Sequence, residues 1–116
     1  MVLGKHALID IYDVDSKYID DIPEIENIIR KCCLDTNLHV VDSNFFKFEP
    51  IGLSGVVFLS ESHIAIHSWP EHNFISVDAF TCGENMQPQE VCKLIAKELG
   101  SNNYNIKIID RGTFNE

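Results

Sequence analysis

The chain has 116 residues, 45% of them hydrophobic, with 18 acidic and 9 basic side chains and a formal net charge of −9. That length holds one domain and the apolar share is enough to bury a core, so a disordered chain is excluded. Nucleic acid is excluded as a partner, because phosphate binding requires clustered Lys and Arg and no such cluster occurs. No apolar run approaches membrane-spanning length and no secretory leader precedes the first strand-like segment, so a cytoplasmic protein without membrane attachment is expected. Cys32, Cys33, Cys82 and Cys92 form no CxxC pair; reduced thiols fit that compartment.

Lys5 to Tyr12 reads as a mostly buried strand, with Ala7, Ile9 and Ile11 alternating against Leu8 and Tyr12. Asp13 to Asp21 is polar and turn-like. From Ile22 the residues Ile25, Ile28, Ile29, Cys32 and Cys33 recur at helical spacing. Asp21 followed by Glu24 resembles a capping box and Pro23 suits a first turn, which predicts a helix from Ile22 to about Leu34. Leu38 to Phe48 is β-branched and aromatic and ends at Pro50-Ile51-Gly52. Gly55 to Leu59, His63 to Trp69 and Phe74 to Cys82 follow as strands, the last two joined by a hairpin loop at Pro70-Glu71-His72-Asn73. A second helix, Pro88 to Leu99, carries Val91, Leu94, Ile95 and Leu99 on one face and stops at Gly100. Tyr104 to Asp110 is the final strand. This order predicts an α+β two-layer sandwich, an antiparallel sheet with two helices packed on one face.

Chemistry concentrates between Ser54 and Gly83. His63 and His67 are four residues apart, a spacing that grips zinc on a helix, but Ile64, Ala65 and Ile66 indicate a strand. Four strand residues span roughly 13 Å, too far for two nitrogens to share a metal at about 2 Å each. No metal site is expected. A cysteine hydrolase pairing Cys82 with a histidine is a second candidate, but for Cys82 alone a small buried hydrophobe is the better reading.

Taken together, Glu61-Ser62-His63-Ile64, Ile66-His67-Ser68-Trp69-Pro70-Glu71 and Val77-Asp78-Ala79-Phe80-Thr81-Cys82-Gly83 resemble prokaryotic S-adenosylmethionine decarboxylase, the small pyruvoyl-dependent form. Gly4-Lys5-His6, Gly52-Leu53-Ser54-Gly55-Val56-Val57 and Arg111-Gly112 extend the likeness over nearly the whole chain. Ser68 stands where the family usually has threonine, and His72-Asn73-Phe74 replaces a more usual Tyr-Gly-Tyr-like loop.

The resemblance implies a proenzyme that cuts itself between Glu61 and Ser62, leaving residues 1–61 and 62–116 associated. Decarboxylating an amino acid needs an electron sink, and the resemblance supplies one as a pyruvoyl group made from Ser62, which forms a Schiff base with the substrate amine. It implies that Ser62 attacks the Glu61 carbonyl to give an ester, that His67 is the base for the following elimination, that Ser54 assists processing, and that Cys82 returns a proton to the substrate carbon. Trp69 and Phe48 become candidates to face the adenine or the sulfonium, where a cation gains roughly 0.5–2 kcal/mol over an aromatic ring. Glu71 becomes a candidate for the ribose hydroxyls. Without the motif, Ser54 and Ser62 read as turn serines, His67, Trp69 and Phe48 as core residues, and Glu71 as an exposed loop carboxylate. Glu61 and His63 read as shaping the turn at the cleavage point. Alternation puts Ser76, Asp78, Phe80 and Cys82 on one strand face, so Asp78 either sits near the site or satisfies a backbone donor.

The resemblance further implies conversion of S-adenosylmethionine to the aminopropyl donor of spermidine and polyamine synthesis, in a homodimer with sites shared across the interface. Two other readings stand beside it: a decarboxylase of arginine or ornithine with the same fold and processing, and a non-catalytic regulatory or ligand-binding subunit.

Overall fold

A computed structural model describes residues 1–83 and 86–115. The elements run β1 (Val2–Tyr12), α1 (Ile22–Asp35), β2 (Val40–Lys47), β3 (Leu53–Leu59), β4 (Ser62–Trp69), a 3₁₀ turn (Pro70–His72), β5 (Phe74–Cys82), α2 (Pro88–Glu98) and β6 (Asn103–Thr113). The six strands form one sheet in the order β2-β3-β4-β5-β1-β6, and every neighbouring pair is antiparallel. No helix among the described residues is long and apolar enough to cross a membrane.

The α+β sandwich expected from the element order is the one observed. Strand alternation sends Ala7, Ile9, Ile11, Val57, Ile64, Ile66, Ile75, Val77 and Ala79 to one face, where they are fully or almost fully buried. They pack with Ile25, Ile29, Cys32 and Cys33 of α1 and Val91, Cys92, Ile95 and Ala96 of α2. Each large aliphatic side chain so placed contributes about 1.5–3 kcal/mol. Helix α1 starts as its sequence predicts: Asp21 Oδ1 accepts the Glu24 N–H at 3.1 Å. Helix α2 gives out at Leu99, where Gly100 turns left-handed (φ 78°).

The differences from the sequence reading lie at strand ends. β1 begins three residues early and β6 extends to Thr113 because the two strands pair with each other out to Val2↔Thr113, a partner that local pattern cannot reveal. β3 begins at Leu53 rather than Gly55, and β2 is shorter than Leu38–Phe48, with a register shift between Val40 and Asp42. The Pro70–Asn73 hairpin loop is a 3₁₀ turn closed by Asn73 N–H donating to Pro70 O at 3.2 Å. On the helix side the Phe45 ring lies directly over Gly55, where a Cβ would sit 2.2 Å from Cδ2.

The opposite face has no helix on it. It presents His6, Leu8 and Tyr12 from β1, Ser54, Val56 and Phe58 from β3, His63, Ala65, His67 and Trp69 from β4, and Phe74, Ser76, Asp78, Phe80 and Cys82 from β5. Phe46, Phe48, Phe58 and Ile109 are among its exposed apolar side chains.

Candidate active site

The residues singled out in the sequence fall into two groups. The first is at the tight connection between β3 and β4. Leu59 pairs with Ser62, so Ser60 and Glu61 make the turn. Ser62 leaves it with φ 145°, a backbone conformation that L side chains rarely adopt and that costs of order 1–3 kcal/mol. The Glu61 carbonyl just before it accepts two hydrogen bonds from one residue: the Cys82 N–H at 3.0 Å and the Cys82 thiol at 3.2 Å. Position 82 reaches that carbonyl because Ser62 pairs with Thr81 across β4 and β5.

The Glu61 side chain is anchored separately. Its carboxylate accepts the His39 N–H at 3.0 Å and lies 2.7 Å from His39 Nδ1. Burial pushes this carboxyl up, but the His39 donors outweigh it and hold the group below its ordinary value. Both handles on Glu61 fix the carbonyl that precedes Ser62.

Among the four cysteines, Cys82 alone is exposed. Burial pushes the thiols of Cys32, Cys33 and Cys92 up to about 12, about 11 and about 12 respectively, so they are inert core groups. The bland reading of Cys82 as a buried hydrophobe is therefore wrong.

The second group lies along β4 toward Trp69. Ser54 Oγ and His67 Nδ1 share a 2.9 Å hydrogen bond, which follows from the direct pairing of Ser54 with His67. The His67 ring packs on Trp69 with centroids 4.1 Å apart and on Phe48 at 5.6 Å. Phe48 is 38% exposed, which removes its core reading. Trp69 also packs on Phe74 at 5.3 Å, and Glu71 sits exposed in the 3₁₀ turn that follows. Beside His67 a shallow depression of about 160 Å³ is floored by Ser54, Ala65, Ser76 and Asp78, which places Asp78 near the site, as alternation suggests.

The structure does not bring the two groups together. Ser62 and His67 are five positions apart on β4, roughly 16 Å at strand rise, so His67 cannot reach the Ser62 of its own chain.

Sequence reasoning gave no role to three groups beside the cleavage point. The Arg111 Nη1–H donates to His6 Nδ1 at 3.1 Å, and the Arg111 guanidinium lies 5.7 Å from the Phe80 ring centroid. Burial lowers the His6 pKa, opposed by Asp78 and aided by Arg111 and His63. His63 packs against Phe80 and His6 at 5.8 and 6.4 Å. Gly4 makes room for this arrangement, since a Cβ there would meet the Phe80 ring at 2.6 Å. His6 and Arg111 come from opposite ends of the chain, and only the β1–β6 pairing joins them. The third group, His39, had no motif around it to mark it.

A strained serine, an accessible thiol on the neighbouring carbonyl and a serine–histidine pair on an uncovered sheet face are the equipment of an enzyme, not of a structural module. Residues 5–112 match the family S-adenosylmethionine decarboxylase, and the chain belongs to that family; it is a decarboxylase. It is 43% identical over 112 residues to the S-adenosylmethionine decarboxylase proenzyme of Thermoanaerobacter sp. (strain X514), covering 97% of this chain and 90% of that one. It is 40% identical over 111 residues to the proenzyme of Pseudomonas aeruginosa (strain LESB58), covering 96% and 69%. The crystal structure of the adenosylmethionine decarboxylase from Aquifex aeolicus superposes with a TM-score of 0.89 at 35% identity, covering 99% of this chain and 95% of the other.

Proposed function

We propose that this chain is a self-cleaving proenzyme whose mature form decarboxylates S-adenosylmethionine, giving the aminopropyl donor of spermidine synthesis. The observation that carries this reading is the state of the Glu61–Ser62 bond: its carbonyl is held by the Cys82 N–H and thiol while Ser62 sits at φ 145°. Donors aimed at a carbonyl stabilise the oxyanion that forms when a nucleophile adds to it. Strain at Ser62 is relieved once the peptide bond opens. These are the requirements for transfer of the Glu61 acyl group from nitrogen to the Ser62 oxygen, then elimination, leaving fragments 1–61 and 62–116.

The pyruvoyl group made from Ser62 supplies the electrophilic carbonyl that takes up the electrons of the breaking carboxyl bond. Its surroundings fit that task, because Cys82 lies within reach to deliver a proton on the open side of the sheet. Farther along β4, the Phe48 and Trp69 rings flanking His67 offer faces for an adenine or a sulfonium, and Glu71 offers a carboxylate for ribose hydroxyls.

The roughly 16 Å between Ser62 and His67 supports a homodimer joined through the helix-free faces. An isologous pairing lets each Ser62 and Cys82 meet the Ser54, His67, Phe48 and Trp69 of the partner. Exposed Phe46, Phe58 and Ile109 on that face give the pairing an apolar area to bury.

The test is denaturing intact-mass analysis of the purified chain beside Ser62→Ala, followed by carbon dioxide release from S-adenosylmethionine, arginine and ornithine. Two fragments meeting at Glu61 and Ser62, an uncut variant and release from S-adenosylmethionine alone are expected. A stable full-length wild-type mass overturns self-cleavage, and release from arginine or ornithine overturns the substrate.

A further inference from the structure

We infer that His63 is the base that activates Ser62 for the first step of self-cleavage, a role separate from that of His67. The inference rests on the self-cleavage reading above and adds the group that begins it. His63 Nδ1 lies 3.4 Å from Ser62 Oγ, and among the described side chains it is the one within hydrogen-bond distance of that oxygen. A serine hydroxyl is a poor nucleophile until a neighbour takes its proton. His67 is five positions away along the strand and already engaged with Ser54. Hydrogen bonds of this kind are commonly long before the reacting atoms close.

The ring is held for the task. Phe80 and His6 pack against it at 5.8 and 6.4 Å, and Arg111 occupies His6 Nδ1 from the far side. Arg111 donates to that nitrogen, so it carries a lone pair and His6 is the neutral Nε2–H tautomer. A second imidazolium is thereby kept from the neighbourhood of His63.

The step balances within the site. The Ser62 Oγ–H proton passes to His63 Nδ1 as Oγ bonds to the Glu61 carbonyl carbon. The oxyanion is held by the Cys82 N–H and thiol. Collapse breaks the Glu61–Ser62 C–N bond, and the imidazolium returns the proton to the departing Ser62 nitrogen. The result is an ester at Ser62 Oγ and a free amine, with no net gain or loss of protons.

The experiment follows cleavage of full-length proenzymes by intact mass, with and without hydroxylamine, which cuts an ester but not a peptide bond. His63→Ala is expected to cleave at least about 100-fold more slowly than wild type, to resist hydroxylamine because no ester accumulates, and to recover rate as free imidazole is added. His67→Ala, which stalls after the ester, is expected to be cut by hydroxylamine between residues 61 and 62. His63→Asn, which keeps a hydrogen-bonding group without a basic nitrogen, guards against a folding defect and is expected to be as slow as His63→Ala. Cleavage of His63→Asn at the wild-type rate, a hydroxylamine-sensitive ester in His63→Ala, or no response to imidazole would each overturn the role of His63 while leaving self-cleavage standing. An uncut wild-type chain would overturn both.

Discussion

Mixing two crippled chains tests whether Ser62 and His67 act across a dimer. On the proposed mechanism, a Ser62→Ala homodimer forms no ester and a His67→Ala homodimer eliminates none. A heterodimer of the two contains one fully intact composite site, Ser62 and Cys82 from the His67→Ala chain facing Ser54 and His67 from the Ser62→Ala chain. Its other site lacks both residues. Random exchange of equal amounts makes about half the dimers mixed, so about half of the His67→Ala chains mature and activity reaches about a quarter of wild type. Subunits exchanged through mild denaturant and dialysis, then read by intact mass and carbon dioxide release, give both quantities. Wild type co-expressed with the Ser62→Ala/His67→Ala double variant is the reverse case: the mixed dimer has no intact site, and the cut fraction of wild-type chains falls. Mixed dimers in which the His67→Ala chain stays uncut, with wild-type maturation untouched by the double variant, would refute the shared site.

Three further outcomes follow from the geometry. Iodoacetamide applied to the native protein at neutral pH labels Cys82 and leaves Cys32, Cys33 and Cys92 unmodified until denaturation, as peptide mass mapping will read, because burial pushes those three thiols up and covers them. Gly55→Ala lowers stability by about 1–3 kcal/mol in a denaturant titration, since its Cβ would stand 2.2 Å from the Phe45 ring and β2 must move to admit it. In the uncut Ser62→Ala background, Glu61→Gln costs stability that depends on pH. The folded carboxyl lies below its ordinary value of 4.5, so its contribution is fully present above that value and disappears as pH falls through the folded one. Thermal melts from neutral to acid pH will show the two variants converging.

What the sequence disclosed depended on how local the signal was. Helix α1 was legible because its cap, Asp21 to Glu24, and its stripe from Ile25 to Cys33 lie within a few turns. The face shared by Ser76, Asp78, Phe80 and Cys82 was legible because alternation alone sets it. The hydrogen bond between Ser54 and His67 was not, since it depends on a register that puts the two residues opposite each other. The neighbourhood of His6, Arg111 and His63 was hidden more deeply: it depends on β1 lying between β5 and β6, with His6 opposite both Phe80 and Ile109. The motif named Ser62, Cys82 and His67 as partners in chemistry, but only strand geometry puts the third out of reach of the first.

The strand order has a consequence for how a matured molecule comes apart. Residues 1–61 carry β1, β2 and β3, and residues 62–116 carry β4, β5 and β6. In the order β2-β3-β4-β5-β1-β6 the first segment's β1 is inserted between the second segment's β5 and β6, and each segment contributes one helix. A cut between Glu61 and Ser62 therefore leaves the fragments interleaved like two combs rather than lying side by side. Before the cut each chain can refold as one piece, and only its pairing with a second copy depends on dilution. After it, unfolding also sets two pieces free, and recovery requires that they meet again, so the melting temperature depends more steeply on concentration. On the proposed cleavage, the step that would give the enzyme its reactive group would also end the ability of a single chain to refold alone.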